Sequence, residues 1–153
     1  MDIHRLAMHV VKTALDGMHM SDINAAHYAS MEPGYVISSA RYTFSPKDVE
    51  AYLAATEDVG DLFGENGIVP PMAVAALPMG AISDSISFPD GAVHVSQQME
   101  FCDEVMVGES VVCTSTLLKK HKRGPFNMLT LGIEVKNETE TVVYYGKTSV
   151  LLP

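Results

Sequence analysis

The sequence predicts a single α+β domain in which an antiparallel sheet wraps around one apolar helix. Three observations support this prediction. The segment from 92 to 152 divides into four long stretches that alternate like strands, and the segment before it, from 72 to 82, is apolar and uncharged. The chain has 153 residues, 47% of them hydrophobic and 19% charged, which suits one globular domain with a sizeable core.

The N-terminal region predicts a helix over residues 3–18. Apolar residues recur there at three- and four-residue steps, which places them on one helix face. We therefore expect residues 1–32 to be an N-terminal helical extension that packs on its own domain or on a partner, and residues 33–153 to be the main domain. Charged side chains interrupt any signal-peptide core in this region: Asp2, Arg5, Lys12 and Asp16.

An extended segment followed by a capped helix comes next. Residues 35–44 read as a strand, and Ser45 reads as the N-cap of a helix that has Pro46 at its first position. Asp48 stands where a capping box places its acid. Glycines at 60, 64 and 67 predict a flexible loop over residues 58–69.

The central helix is predicted to begin at Pro70-Pro71 and to continue through the apolar run that follows. Its small side chains suit a helix held tightly against a sheet. Pro78 lacks a backbone donor, so we expect the helix to kink or end near Leu77. Residues 83–91 are rich in turn formers.

The C-terminal part predicts an antiparallel meander with one face on the helix. The breaks between its strands are turn-forming sequences around residues 108, 124 and 138. The four predicted strands cover residues 92–102, 109–121, 127–138 and 141–152.

Composition excludes several classes of function. A formal charge of −9 argues against a nucleic-acid-binding protein, which needs a basic face. No run of 18 apolar residues occurs, so no membrane span is expected. The two cysteines, Cys102 and Cys113, lie in predicted strands and are expected to be buried structural thiols. A reducing cytoplasm is the expected location.

One loop points to a known family. The segment Asp58-Val-Gly-Asp-Leu-Phe63 and its lead-in from Tyr42 resemble the Asp-x-Asn-x-x-His active-site region of MaoC-like (R)-specific enoyl-thioester hydratases. Asp58 matches the aspartate of that motif. Gly60 stands in place of its asparagine and Phe63 in place of its histidine.

Three further segments resemble the N-terminal-type dehydratase domains of the same group. Residues 69–72, Val-Pro-Pro-Met, resemble the segment leading into the central helix of those domains. Residues 91–101 resemble their His-x-x-Gln strand, through His94 and Gln97. Residues 101–109 resemble the segment ending in their Pro-Val-x-x-Gly-Asp turn. Together the resemblances cover residues 33–153.

The resemblance implies a hot-dog fold, as does the order of one extended segment, an apolar helix and four long strands. It further implies a dimer, or a pairing of one catalytic half with one degenerate half, that binds acyl-CoA or an acyl-carrier-protein thioester in a tunnel at the interface. In active halves an aspartate and a histidine direct water onto an unsaturated thioester, and backbone N–H groups polarise its carbonyl.

The candidate catalytic residues are Asp58 and His94. Asp58 could act as a general base or could simply cap a turn. His94 could contact the substrate or a partner chain, or could be a buried histidine bonded to backbone, and we favour the buried alternative. In a flat strand His94 and Gln97 point to opposite faces unless Ser96 lies in a bulge.

The candidate substrate-binding residues fall into two groups. Pro71, Met72 and Gln97 are expected to line the acyl site. The cluster Lys119-Lys-His-Lys-Arg123, at a predicted hairpin tip, is the one basic patch of an acidic chain, and it is either a solvated tip or a contact for phosphates or an acidic carrier protein. The contacts expected within it are Lys120, Lys122 and Arg123. The histidines are not spaced as a zinc site, and no metal or cofactor is expected.

Three functions remain open from the sequence. The first is a hydratase/dehydratase subunit that pairs with a catalytic subunit or uses a variant site. The second is a hot-dog thioesterase. The third is a non-catalytic subunit that binds acyl thioesters or stabilises a partner.

Overall fold

A five-stranded antiparallel sheet dominates the structure. The computed structural model describes residues 26–58, 63 and 67–153. The strand order in the main sheet is β2-β5-β6-β7-β4, and neighbouring strands are antiparallel throughout. The α+β prediction is therefore confirmed. The five strands are β2 (Val36–Thr43), β4 (Val93–Phe101), β5 (Ser110–Arg123), β6 (Phe126–Asn137) and β7 (Val142–Leu152).

A small parallel pair lies apart from the main sheet. Strand β1 (Ala26–His27) pairs with β3 (Ile86–Ser87), and a short 3₁₀ helix (Tyr28–Ser30) follows β1. Strand β1 and the 3₁₀ helix lie in the described part of the predicted extension 1–32. The predicted helix over residues 3–18 lies outside the described residues.

The first helix, α1 (Pro46–Thr56), is capped as the sequence predicts. The Ser45 hydroxyl accepts a hydrogen bond from the Asp48 N–H at 3.3 Å, and the Ser45 N–H donates to the Asp48 carboxylate at 2.9 Å. The helix ends at Thr56, and its C-cap residue, Glu57, has a φ of 55°. This left-handed residue places Asp58 immediately beyond the helix.

The central helix, α2 (Pro71–Ser85), runs without interruption through Pro78. The sequence predicted that the helix would kink or end near Leu77, and the predicted end is wrong. Residues Ser83–Ser85, which were expected in a turn, are also helical. Loss of one backbone donor at Pro78 is offset by packing, because Pro78 and much of the helix are buried against the sheet. The Ser83 hydroxyl also donates to the Met79 carbonyl at 3.0 Å and supports the last turn.

The core lies between α2 and one face of the sheet, which we call the inner face. Alternate residues of β5 and β6 are buried on it, while their neighbours form the outer face. The observed strand ends agree with the predicted ones within two residues. Buried inner-face residues include Val111, Cys113, Leu117, Leu129, Leu131, Ile133, Val135, Tyr144 and Leu152.

The sheet has two edges, β2 and β4, and they differ in exposure. Every residue of β4 except the half-buried Gln97 is exposed. Strand β4 pairs with β7 on one side, and no strand of the described residues pairs on its other side. Within the described part of the chain, no helix has the length and apolar character needed to cross a membrane.

Candidate functional site

A bulge in the edge strand β4 sets the direction of its polar side chains. The register shifts between His94, which pairs with Val150, and Ser96, which pairs with Ser149. The extra residue, Val95, rotates the strand so that His94 and Gln97 lie on the same, inner face. From the sequence, His94 and Gln97 could share a face only if a bulge lay near Ser96, and that bulge is present.

His94 has a defined hydrogen-bonding arrangement. Its Nε2 lies 3.0 Å from the Ser96 carbonyl oxygen and 2.8 Å from the Thr148 Oγ1. A carbonyl oxygen can only accept, so the short contact to Ser96 favours the tautomer in which Nε2 carries the proton. The Nδ1 atom then carries the lone pair. The expectation of a buried histidine is wrong, because His94 lies on the exposed edge strand, although it does bond to backbone.

Gln97 and Tyr144 form a second polar contact on the inner face. The Gln97 Nε2 donates to the Tyr144 hydroxyl at 3.5 Å, and the Tyr144 ring lies 5.3 Å from that of Phe101. Burial raises the pKa of Tyr144, and the Gln97 hydrogen bond lowers it in part. The ring extends along its own strand over Gly146, where a Cβ would lie 2.5 Å from the hydroxyl. Gly146 is therefore what lets Tyr144 reach Gln97.

Two residues of this cluster, Thr148 and Tyr144, were not identified from the sequence. Both are completely buried on the inner face of β7. Their signal in the sequence is a polar atom at a position where the alternation requires a core residue. Thr148 and Tyr144 can be assigned to this cluster only when the register between β4 and β7 is known. The sequence of a single strand does not give that register.

Apolar side chains surround the polar cluster and are not covered. Met99 and Phe101 share the inner face with Gln97, yet they are 45% and 43% exposed. The inner face is thus buried under α2 at the middle of the sheet and open at the β4 edge. An open apolar surface on an unpaired edge is typical of an interaction site.

The segment after α1 is the one whose sequence resembles the Asp-x-Asn-x-x-His pattern. Asp58 is exposed, and its N–H donates to the Leu53 carbonyl at 3.0 Å. Its carboxylate lies near Tyr52, whose pKa is raised first by burial and then by the Asp58 charge. Phe63 is half-buried, and Gly60 lies outside the described residues. Phe63 carries no group that could transfer a proton.

The N-terminus of α2 presents the other two candidate acyl-site residues. Pro71 is the first residue of the helix and Met72 the second, and both are exposed, Met72 by 49%. No side chain caps this helix start. In α1 the N-cap side chain accepts a hydrogen bond from a backbone N–H of the first turn. In α2 the N-cap residue makes no such side-chain bond.

The basic cluster lies at the β5–β6 hairpin tip, as predicted. Lys120 differs from its neighbours because its Nζ donates to the carbonyls of Ala29 and Met31, at 2.8 and 3.0 Å. Lys120 therefore ties the segment after β1 to the hairpin. Lys122 and Arg123 are exposed.

The two cysteines are both free but differ in environment. Cys113 is buried, as predicted, and burial raises the pKa of its thiol to about 12. Cys102 is exposed just beyond β4, so the expectation that it is buried is wrong. Among the residues that the structure describes, no three His, Cys, Asp or Glu side chains are arranged to hold a metal ion.

Comparison with known proteins places the fold. No protein-family model matches the sequence, and no curated protein matches it. Among solved structures, the chain is similar to the (R)-hydratase from A. caviae involved in PHA biosynthesis, with 23% identity and a TM-score of 0.68 over 81% of this chain and 98% of that one. This is the hot-dog fold, an α+β fold with the sheet around a central helix.

Two further solved structures are similar to this chain. A MaoC-like dehydratase from Rhodospirillum rubrum has 15% identity and a TM-score of 0.64, covering 82% of this chain and 94% of its own. The C-terminally truncated HadBC (3R-hydroxyacyl-ACP dehydratase) complex from Mycobacterium tuberculosis has 13% identity and a TM-score of 0.62, covering 79% of this chain and 98% of its own. The resemblance to MaoC-like proteins is therefore confirmed at the level of the fold.

Proposed function

We propose that this protein is an enoyl-thioester hydratase/dehydratase-type subunit that binds an acyl-CoA or acyl-carrier-protein thioester where it pairs with a second hot-dog subunit. The observation that carries the proposal is the open inner face at β4, where the apolar Met99 and Phe101 and the polar His94 are exposed. A partner that covers this face would complete a pocket with an apolar wall, Met99 and Phe101, and a polar end, His94 and Gln97.

The edge strand supports pairing through backbone as well as side chains. An unpaired strand presents a row of N–H and C=O groups that another strand can bind. Strand β4 carries neither Lys nor Pro, two of the residues that commonly protect an unpaired edge, and its one formally charged residue is Glu100. A second copy of the chain, or a different hot-dog subunit, would extend the sheet across this edge.

The loop chemistry supports a partner that supplies the catalytic groups. Asp58 retains a carboxylate, but Phe63 stands where the resemblance calls for a histidine and cannot transfer a proton, which leaves Glu57, Asp61 and Glu65 as the other acids of this segment. Two of the similar solved structures are described as complexes, ChsH1-ChsH2 and HadBC, both from Mycobacterium tuberculosis. These parallels support a heteromer, and a homo-oligomer with a variant site is the alternative. A cytoplasmic location remains part of the proposal.

The assembly is tested by one substitution on the edge strand. Met99→Glu places a charge in the proposed interface, and Leu118→Glu is its matched control, since Leu118 is 47% exposed on another strand. Light scattering at micromolar concentration should show an oligomer for the parent and the control, and a shift toward monomer for Met99→Glu. A monomeric parent that also captures no hot-dog partner from its native host would contradict the proposal.

The chemistry is tested by hydration of crotonyl-CoA. The isolated chain should act far below the roughly 1–1000 turnovers per second typical of enzymes, and the complex recovered from the host should reach that range. Rapid hydration by the isolated chain would overturn the assignment of a degenerate site. Hydrolysis of the thioester without hydration would indicate a thioesterase instead.

A further inference from the structure

The β5–β6 hairpin ends in an apex that projects beyond the neighbouring strands. Strand β2 pairs with β5 only as far as Thr116, and β7 pairs with β6 only from Asn127 onward. Residues 121–126 lie beyond both of these pairs, so within the described part of the chain no third strand flanks them. All six are exposed. We call residues 121–126 the apex.

A tight turn gives the apex a defined shape. The turn has two residues, Gly124 and Pro125, which follow the last cross-strand pair of the hairpin, Arg123 with Phe126. Gly124 has a φ of 64°, which glycine adopts without strain, and the ring of Pro125 fixes its own φ. The apex is therefore preformed, and ordering it on binding costs little conformational entropy.

The apex and the residues leading to it are positively charged, and the hairpin around them carries no acid. Residues 119–123 hold four of the ten Lys and Arg side chains of the chain, and residues 110–133 contain no Asp or Glu. Glu134, the first acid along β6, lies about 27 Å from Phe126 at the rise of an antiparallel strand. Among the described residues no ion pair involves these four cations, whereas Lys136 pairs with Glu134 at 2.8 Å. Their positive charge is therefore uncompensated.

The cations of the apex point to both faces of the sheet. Lys122 pairs with Asn127 and Arg123 with Phe126, and successive strand residues point to opposite faces. Lys120 is already bonded to two backbone carbonyls. A partner lying on one face of the sheet could not contact both Lys122 and Arg123. A flat partner that meets the hairpin end-on contacts both at once.

Apolar side chains occupy the end of the apex. Phe126 is 41% exposed, and Pro125 beside it is exposed as well. A partner that offered only negative charge would leave this apolar surface in water. A lipid bilayer offers both kinds of contact, because anionic headgroups lie at its surface and hydrocarbon lies directly below them. Aromatic side chains flanked by Lys and Arg are favoured at that boundary.

We propose that the apex binds the surface of an anionic lipid bilayer, with Phe126 below the headgroups and Lys122 and Arg123 among them. The contact is peripheral and is independent of the proposed thioester function. The chain as a whole has a formal charge of −9, so the same surface repels most of the molecule and attracts the apex. The strands therefore stand upright on the bilayer, and the β4 edge, which runs along them, stays available to a partner subunit.

The contribution of charge is tested with vesicles of phosphatidylcholine alone and with about one third phosphatidylserine, using the protein in its oligomeric state. Lys122→Gln/Arg123→Gln should lower the partition coefficient for the anionic vesicles about tenfold or more, since each Lys or Arg near such a surface contributes about fivefold. The effect should shrink as salt rises, because exposed charges are screened over about 8 Å at physiological ionic strength. Arg41→Gln/Lys47→Gln, at exposed positions elsewhere, makes the same change in net charge and should stay within about twofold of the parent.

The contribution of the apolar end is tested separately. Phe126→Ser should lower the partition coefficient about threefold or more, and this loss should not shrink with salt, because it comes from apolar burial. Leu118→Ser is the matched control. Leu118 is 47% exposed but lies about 17 Å along β5 from Arg123, so its substitution should change vesicle binding less than about twofold. Thermal unfolding checks that each variant is folded.

Tryptophan fluorescence gives a readout that a contact by charge alone would not change. The chain has no tryptophan, so Phe126→Trp and Leu118→Trp each introduce a single reporter. On anionic vesicles the emission of Phe126→Trp should shift to shorter wavelength and be quenched by brominated acyl chains. The emission of Leu118→Trp should change in neither way.

Four outcomes would overturn the inference. A parent that binds anionic vesicles no better than neutral ones would refute it directly. Vesicle binding that persists in both apex variants and is lost in Met99→Glu would assign the contact to the β4 edge. An unshifted emission of Phe126→Trp on bound vesicles would refute insertion of the apex. Loss of crotonyl-CoA binding in Lys122→Gln/Arg123→Gln, with vesicle binding unchanged, would assign these cations to the phosphates of CoA.

Discussion

Substituting Gly146 by alanine tests how tightly the Tyr144 ring packs over residue 146. A Cβ on Gly146 would lie 2.5 Å from the Tyr144 hydroxyl and 3.0 Å from two ring carbons. Tyr144 has no exposed surface, so its ring cannot move into solvent without opening the core. The added methyl group must therefore displace a buried aromatic ring and break its contact with Gln97.

The size of the effect follows from two opposing contributions. Overpacking a buried site costs about 1–3 kcal/mol. Replacing glycine within a strand recovers about 0.5–1 kcal/mol, because alanine loses less conformational freedom on folding. Gly146→Ala should therefore lower the free energy of unfolding by about 1–2 kcal/mol.

Gly132 provides the matched control. A Cβ there would approach the Leu118 side chain at 2.8 Å, but Leu118 is 47% exposed and can rotate away. Gly132→Ala should change stability by less than about 0.5 kcal/mol. Urea unfolding at one protein concentration compares the two variants. Equal destabilisation, or a Gly146→Ala variant as stable as the parent, would show that Tyr144 is not held as the structure indicates.

Two further predictions concern α1 and Cys113. Ser45→Ala removes the capping hydroxyl and should lower the free energy of unfolding by about 1 kcal/mol, whereas Ser39→Ala, at an exposed strand position, should have less effect in the same urea titration. One thiol per native chain, Cys102, should react with a thiol reagent, and Cys113 should react only on unfolding. The pKa of Cys113 rises from 9.0 to about 12 on folding, so the unfolded chain ionises first and stability should fall as pH rises above about 9. Cys113 contributes at most about 1.4 kcal/mol per pH unit to this slope. Buried tyrosines such as Tyr42 contribute to it as well, so Cys113→Ala should reduce the slope, and an unchanged slope would contradict the assignment.

The sequence predicts the elements of this fold well because their signals are local. The capping box at Ser45 and the alternation around Val111 and Leu131 depend on residues close in the chain. The continuation of α2 through Pro78 is not predictable in this way. It depends on burial against the sheet, which a tertiary arrangement provides and a local rule does not include.

The candidate site is less predictable because it is made by strand register. Which face His94 occupies is decided by the bulge at Val95, and its partner Thr148 is brought to it by the β4–β7 pairing. A slip of one residue would turn these side chains to the opposite face. Cys102 illustrates the same limit, because its exposure follows from where β4 ends.

The arrangement of β4 connects the fold to the proposed function. The bulge brings His94 and Gln97 to the inner face, and the same strand leaves Met99 and Phe101 uncovered. An exposed apolar edge favours association, and the proposed function assigns it to a partner subunit that covers it. In the proposed function, the partner contributes a wall of the pocket, and it also contributes a proton-transfer group because Phe63 cannot act as one. Assembly and activity should therefore be lost together when the β4 edge is disrupted.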